Sequence, residues 1–367
     1  MSIATDRVSP FDAQFSADQK QQMRRRLLAW YASHARDLPW RRSRDPYRVW
    51  VSEIMLQQTQ VATVRDYFQR FVRAFPDVRS LAEADEQQVL RLWEGLGYYR
   101  RARQMHAAAQ QIVAEHGGQL PADVLALRSL PGIGRYTAGA IASIAFQLRA
   151  PILEANTVRL LSRLVGYRGD PLKSAGQRLL WHVAEELLPR ANVAQFNQAL
   201  MELGSLVCTP TEPRCDECPL ARHCAARAVG LQHEIPQAKP RQQFTKLREA
   251  AVVVRKNGQV LVRRCGAGER WAGLWDFPRF ALESENPSCA RDEIVAKVRA
   301  QAGVVCAPGA LWKTLKHGVT RYRITLECYD ACFASGRTRA ATWIAAAKLA
   351  ELPLSATGRK IARLLLG

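Results

Sequence analysis

Two glutamates sit where a carboxyl group would be put to different work. Glu53 falls in Val49-Trp50-Val51-Ser52-Glu53-Ile54-Met55-Leu56, and its neighbours three and four positions away on a helix are Val49, Trp50, Leu56 and Gln57. A carboxyl in that company loses solvation, its pKa rises, and it can hold a proton to donate. The competing reading, an exposed glutamate on a helix rim, does not fit the apolar flank. Glu154, in Ile152-Leu153-Glu154-Ala155-Asn156-Thr157-Val158, precedes a helical pattern through Val158, Leu161 and Val165. The positive end of that helix favours the ionised form. An acid and an anion with opposed pKa pressures suit glycosidic cleavage: one protonates the leaving group, the other stabilises an oxocarbenium-like sugar. Capping of the helix by Glu154 is compatible with this role.

Two further segments bear chemistry. Cys208, Cys215, Cys218 and Cys224 form a C-x6-C-x2-C-x5-C array. Four thiolates this close suit one metal centre, an iron–sulfur cluster first and a structural zinc second, since zinc sites usually pair two C-x2-C hooks. Disulfides are the weakest reading in a large chain without an export signal. Leu130-Pro131-Gly132-Ile133-Gly134-Arg135-Tyr136-Thr137-Ala138 lies between two helical patterns. Gly132 and Gly134 permit unusual backbone angles and close approach by a ligand. The amides opening the second helix suit a phosphate. This is the layout of a helix-hairpin-helix, which holds a DNA backbone without reading its sequence.

The elements that must position these residues are mostly helices. Apolar periodicity and turn residues predict helices at 23–34, 46–57, 60–74, 86–92, 98–116, 122–128, 135–147, 156–166, 174–188 and 192–206. A Pro-containing stretch, Ile235-Pro236-Gln237-Ala238-Lys239-Pro240, reads as an extended linker. Beyond it come strand-like runs at 250–254, 260–264 and 322–328, with helices near 288–301 and 356–366. The chain is expected to be mainly α. Its parts are an N-terminal extension (1–19), a two-lobed helical domain (20–229) with the cysteine loop at 208–224, a linker (230–246) and an α+β domain (247–367). Cys265, Cys289, Cys306, Cys328 and Cys332 lack ligand spacing and read as buried free thiols.

The 367 residues carry a formal net charge of +20, of which residues 245–367 supply +11. A basic surface spread over both halves attracts polyanions, nucleic acid above all. No stretch is apolar enough to span a membrane, and residues 1–26 lack the apolar core of a signal peptide. A cytoplasmic, nucleoid-associated monomer is the expectation.

At the hairpin and cysteine array the chain resembles the helix-hairpin-helix DNA glycosylases, the superfamily of endonuclease III. Three segments narrow this to a resemblance to the adenine DNA glycosylases, the MutY family: Val49 to Val61, Leu38-Pro39-Trp40-Arg41 and Gly95-Leu96-Gly97-Tyr98-Tyr99. That family removes adenine mispaired with 8-oxoguanine. The resemblance implies a [4Fe–4S] cluster on Cys208, Cys215, Cys218 and Cys224, and duplex DNA with A·8-oxoguanine or A·G mispairs as partner. It implies that Glu53 protonates adenine at N7 and that Glu154 and Asn156 hold the charge on the sugar. Gln57, Gln58, Thr59, Leu96 and Tyr98 would support the gap left by a flipped base, Gly132 and Gly134 the backbone, and Trp40, Arg41, Val61 and Gln198 the adenine pocket.

Four features qualify the resemblance. Glu154-Ala155-Asn156 stands where the family usually has Asp-Gly-Asn. Tyr136 stands where bifunctional relatives have a Schiff-base lysine, so base excision without efficient strand cleavage is expected. The C-terminal domain, with Gly273-Leu274-Trp275-Asp276-Phe277-Pro278, resembles a Nudix-like module for reading 8-oxoguanine. Its segment 279–303 has Glu283, Glu285, Asp292 and Glu293 but not the metal-binding box, so no diphosphate hydrolysis is expected. Leu315-Lys316-His317 keeps only the His of the family's Phe-Ser-His, leaving Lys316 and His317 as the candidate lesion contacts. The alternatives are a thymine mismatch glycosylase, or a lesion-binding protein weakened by the Glu154 change.

Overall fold

The computed structural model describes residues 15–237, 243–284 and 286–366. The expected N-terminal extension as far as residue 14, the middle of the expected linker (238–242) and Glu285 lie outside the described residues. The chain divides into two compact units, Met1–Ala82 with Ala107–Lys239, and Glu83–His106 with Pro240–Gly367.

The first unit is built of helices whose starts are written in local chemistry. Ser16 opens Ala17–His34 with a reciprocal capping box to Gln19. Asp45 accepts from the Tyr47 amide, and Pro46 occupies the first turn of Pro46–Leu56. That helix is buried on nearly every side, from Tyr47 and Val49 through Met55. A helix apolar all round belongs in a core, and this one carries Glu53 in with it. Met23, Leu27 and Tyr31 pack with Leu160, Leu161, Leu180, Phe196 and Leu200 in one apolar cluster of this unit. A short helix at Val78–Glu83, which the sequence pattern did not predict, is started by mutual hydrogen bonds between Asp77 and Ser80.

Two glycines fix where the Glu154 segment lies. Gly139 sits in helix Arg135–Ile144, and a Cβ there would stand 2.3 Å from the Pro151 carbonyl oxygen. Gly204, in helix Val193–Leu206, would put a Cβ 2.8 Å from that of Asn156. One helix thus abuts the approach to Glu154, and another abuts the start of the helix that Glu154 caps, each at close distance.

The second unit holds a seven-stranded sheet. Its strands are β1 (Thr245–Lys256), β2 (Gln259–Arg264), β3 (Trp275–Asp276), β4 (Arg279–Ala281), β5 (Val304–Val319), β6 (Tyr322–Gly336) and β7 (Ala341–Ala345). The order is β3-β2-β1-β6-β5, with β4 paired to β1 and β7 to β2; only β1 and β6 run parallel. One face packs Ala250, Val252 and Val254 against Ile294 and Val298 of helix Pro287–Ala302. The other packs Ala251 and Val253 against Phe277 and Ile361, the last from helix Ala356–Leu366. Alternation along β1 thus serves two cores. The thiol expectation needs correction: Cys265, Cys306 and Cys328 are buried, but Cys289 and Cys332 are exposed. Cys289 sits in the first turn of its helix, and Cys332 pairs with exposed Arg255 at the sheet's end. None of the described helices is long and apolar enough to cross a membrane.

Because Gly139 abuts a carbonyl, Gly139→Ala should destabilise the fold by about 1–3 kcal/mol through overpacking. Urea unfolding followed by circular dichroism measures this; an unchanged midpoint would show that the segment at 150–154 can retreat.

Candidate active site

A cavity of about 720 Å³ in the first unit is lined by Glu53, Tyr136, Glu154 and Asn156, and also by Trp40, Arg41, Val61 and Gln198. Gln57, Gln58, Thr59, Gly132 and Gly134 border it too. Residues that the sequence scattered from 40 to 198 therefore meet around one space. Leu96, Tyr98, Lys316 and His317 belong to the second unit.

Glu53 is 5% exposed. Its Oε2 accepts a 2.5 Å hydrogen bond from the Tyr136 hydroxyl, which also lies 3.3 Å from Met201 Sδ. Burial raises the Glu53 pKa to about 7. The Tyr136 hydrogen bond and the more distant Arg41 pull it down, and the charge of Glu154 pushes it up. Tyr136 itself is held protonated well beyond the usual phenol range, by burial and by the two glutamates. It is a fixed donor, directed at the acid.

Glu154 caps helix Ala155–Leu164. Oε1 accepts from the Thr157 amide at 2.8 Å, Oε2 from the Asn156 amide at 2.8 Å and from Asn156 Nδ2 at 3.2 Å. The expected preference for the ionised form is reversed in sign. Burial raises the Glu154 pKa, and the two amides and Arg159 only partly oppose it. The helix end is favourable, but desolvation is the larger effect. Ala155 is an exposed first-turn helical residue, a conformation alanine adopts without strain. Asn156 Oδ1 accepts from Arg159 Nη2 at 2.9 Å, and Arg159 Nε donates to the Cys208 carbonyl at 2.7 Å.

One wall of the cavity escaped the sequence reading. Glu202, with a wholly buried side chain, accepts from Arg36 Nε at 2.7 Å and Arg41 Nη2 at 2.7 Å. Burial would raise its pKa, but the two guanidiniums outweigh that and bring it to about 2. The overlooked signal was one acid inside the apolar run Ala199-Leu200-Met201-Glu202-Leu203. Gln198, which was expected here, accepts from the Tyr31 hydroxyl at 2.6 Å.

At the hairpin, only Gly132 needs its glycine for backbone reasons, with φ +76. Gly134 is extended at φ −84, and a Cβ there would meet nothing within 4 Å, so its surface is open to a ligand. Gln58 has φ +56 and Tyr98 φ +48, left-handed angles that cost a side chain energy and mark strained turns. Gln57 Nε2 donates to Thr137 Oγ1 at 3.3 Å, tying its turn to the hairpin helix. Leu96 is buried, Tyr98 half exposed. In the second unit, Lys316 is exposed, whereas His317 Nε2 lies 3.1 Å from Arg279 Nη2. Burial and that guanidinium lower the His317 pKa to about 4.

Cys208, Cys215, Cys218 and Cys224 line one small cavity with Arg163 and Arg227. Arg163, buried, reaches Cys208 Sγ with Nη1 at 3.3 Å, and the Cys224 thiol donates to the Arg163 carbonyl at 3.3 Å. Among the described residues no three His, Cys, Asp or Glu side chains close to the distance of a single shared ion.

Residues 51–186 match the model of the HhH-GPD superfamily of base excision DNA repair proteins, and 249–364 match the NUDIX domain. The chain is thus a DNA glycosylase of the helix-hairpin-helix superfamily, with a C-terminal Nudix-like domain. The curated relatives are more particular. The rat adenine DNA glycosylase is 34% identical over 89% of this chain and 73% of its own length. The human adenine DNA glycosylase is 46% identical over 55% of this chain, but only 38% of its own length is covered. A solved thermostable thymine-DNA glycosylase, at 27% identity, aligns with a TM-score of 0.54 over 58% of this chain and 98% of its own. The chain belongs to the adenine DNA glycosylase family.

The raised pKa of Glu53 has a cost that can be measured. Between about 4.5 and 7 the folded state binds a proton that the unfolded state releases, so stability falls as pH rises through this window. Above pH 7 the ionised carboxylate costs about 3 kcal/mol. Glu53→Gln should therefore stabilise the protein at pH 8 and leave it nearly unchanged at pH 4. Urea titrations at both values decide; equal effects would show that Glu53 is solvated.

Proposed function

We propose that this protein excises adenine mispaired with 8-oxoguanine, and with guanine less well, as a monofunctional glycosylase of base excision repair. The observation that carries the reading is the buried Glu53 carboxyl, protonated up to about pH 7 and set beside Glu154 in one cavity. In this scheme the flipped deoxyadenosine enters the cavity, Glu53 gives its proton to N7, and the C1′–N9 bond breaks. Glu154, oriented by the Asn156 and Thr157 amides, faces the cationic sugar. Its ionisation is helped by the positive charge developing there, so its raised pKa does not bar the role. Water then completes an abasic site. Tyr136 offers no amine, so no imine forms with the sugar.

Duplex DNA is the partner that the +20 charge and the open hairpin turn suit. The strained Gln58 turn is read as a contact with the gap that the flipped base leaves, and the strained, half-exposed Tyr98 as a DNA contact in its own unit. The four cysteines would hold a [4Fe–4S] cluster: four thiols lining one cavity are the donor set such a centre takes, and their spacing lacks the paired C-x2-C hooks usual for zinc. Arg163 and Arg227 offset its negative charge, and the cluster would order this loop.

Incubation with A·8-oxoguanine, A·G and T·G duplexes followed by alkali should cleave the first at adenine, the second less, and the third not at all. Tight binding without an alkali-labile site would leave a lesion-binding protein. Cleavage at T·G would favour the thymine reading, to which the structural likeness lends support. The single-turnover rate should fall as pH rises through about 7, as the acid loses its proton. Glu154→Asp should lower that rate about tenfold or more by drawing the carboxylate back; a faster variant would show the native glutamate to be a handicap. Chemical analysis of the purified protein should find about four irons and acid-labile sulfide per chain; one zinc would refute the cluster.

A further inference from the structure

Tyr98 stands at the end of a chain of fixed contacts that begins at Arg359, 261 residues later in the sequence. Both lie in the second compact unit. Arg359 Nε donates to Glu94 Oε1 at 2.6 Å, and Nη2 to Glu94 Oε2 at 2.9 Å, a bidentate pair. The two side chains are 13% and 9% exposed. The guanidinium also holds the carbonyls of Leu349 at 2.8 Å and Leu352 at 2.6 Å, and the Leu354 amide donates to Glu94 Oε2 at 3.3 Å. Arg359 rides on helix Ala356–Leu366, which Ile361 and Ala362 bury in the sheet core.

Glu94 is the residue at which helix Glu86–Trp93 ends and the Tyr98 turn begins. The same helix is held at its other end, where Gln87 accepts from Trp275 Nε1 at 2.9 Å and donates to the Gly273 carbonyl at 3.1 Å. The turn itself is stiff. Gly95, Gly97 and Tyr98 have φ of +100, +71 and +48. Trp93 Nε1 and Arg101 Nη2 both hold the Gly97 carbonyl, at 3.1 and 3.2 Å. Arg101 lies 5.4 Å from the centre of the Tyr98 ring, beneath a side chain that is 50% exposed. A stiff turn transmits the position of its base to its tip.

We propose that Arg359 and Glu94 are positioning residues for Tyr98: the ion pair fixes the base of the turn and thereby aims the tyrosine that meets DNA. The inference rests on the reading of Tyr98 as a DNA contact. It gives the Nudix-like part of this unit a second duty, that of an anchor for a DNA-contacting turn, which needs no recognition of a lesion.

The test is a double-mutant cycle on the full-length protein, with Glu94→Gln, Arg359→Gln, Tyr98→Ala and the two doubles that contain Tyr98→Ala. Binding to an A·8-oxoguanine duplex is measured by fluorescence anisotropy, and excision at saturating enzyme under single turnover. Glu94→Gln and Arg359→Gln should each weaken binding about tenfold while leaving the saturated excision rate within about twofold. In the Tyr98→Ala background neither should weaken it further, because residues that act through one another are not additive. Additive losses, or a loss confined to thermal stability, would overturn the proposal. If Arg359→Gln fails to fold, the isosteric Glu94→Gln carries the cycle alone. Should Tyr98→Ala bind normally, the reading of Tyr98 falls; should it bind weakly while Glu94→Gln binds normally, only the positioning proposal falls.

Discussion

The structure depends on holding a carboxyl group almost out of reach of water. Glu53 is carried into the core by a helix that is apolar on almost every other side. Left alone there, the ionised form would be expensive, and the group responds by holding its proton to about pH 7. The Tyr136 hydroxyl gives it one short hydrogen bond, enough to orient the carboxyl but not to cancel the desolvation. The hairpin that carries Tyr136 thus fixes this carboxyl while presenting an open turn beside it.

The same cavity shows why burial alone does not set a carboxylate's state. The Glu202 side chain is wholly buried, yet it favours the ionised form because Arg36 and Arg41 each form a 2.7 Å contact with it. Removing one guanidinium would leave a buried charge half compensated, which is far worse than exposing the pair. Glu154 lies between these extremes. Its compensation comes from backbone amides, which cannot move away. Three acids in one cavity therefore differ in what faces them: a hydroxyl, two amides or two guanidiniums.

Much of this was legible in the sequence, for a physical reason. Glu53, Glu154 and the hairpin are local statements: their neighbours within four residues already fix a helix, a cap or a turn. The long helices were legible likewise, from the period of their apolar faces. Glu202 was not, because its partners Arg36 and Arg41 are some 160 positions away and only the fold unites them. Gly139 and Gly204 look like ordinary small residues until the backbone of residues 151 and 156 lies against them. Strand β5 was missed because Pro308 and Gly309 interrupt its pattern, and its pairing with β6 shifts register around 308–313. The sign of the Glu154 shift was misjudged since the helix end could be seen in sequence, and the depth of burial could not.

The replacement of aspartate by glutamate at 154 can now be judged by geometry. The added methylene does not leave the carboxylate adrift, since both oxygens find amides at 2.8 Å in the first turn of the helix they cap. Nor does alanine at 155 lack room, for it is helical and exposed. What holds the longer side chain in place is the close packing before and after it, with Gly139 against Pro151 and Gly204 against Asn156. A segment held at close distance at both points cannot slide to suit its side chain, so the side chain must suit the cap. A glutamate that satisfies the cap with both oxygens, while still lining the cavity, is consistent with an adjusted site and gives no geometric ground for an abandoned one.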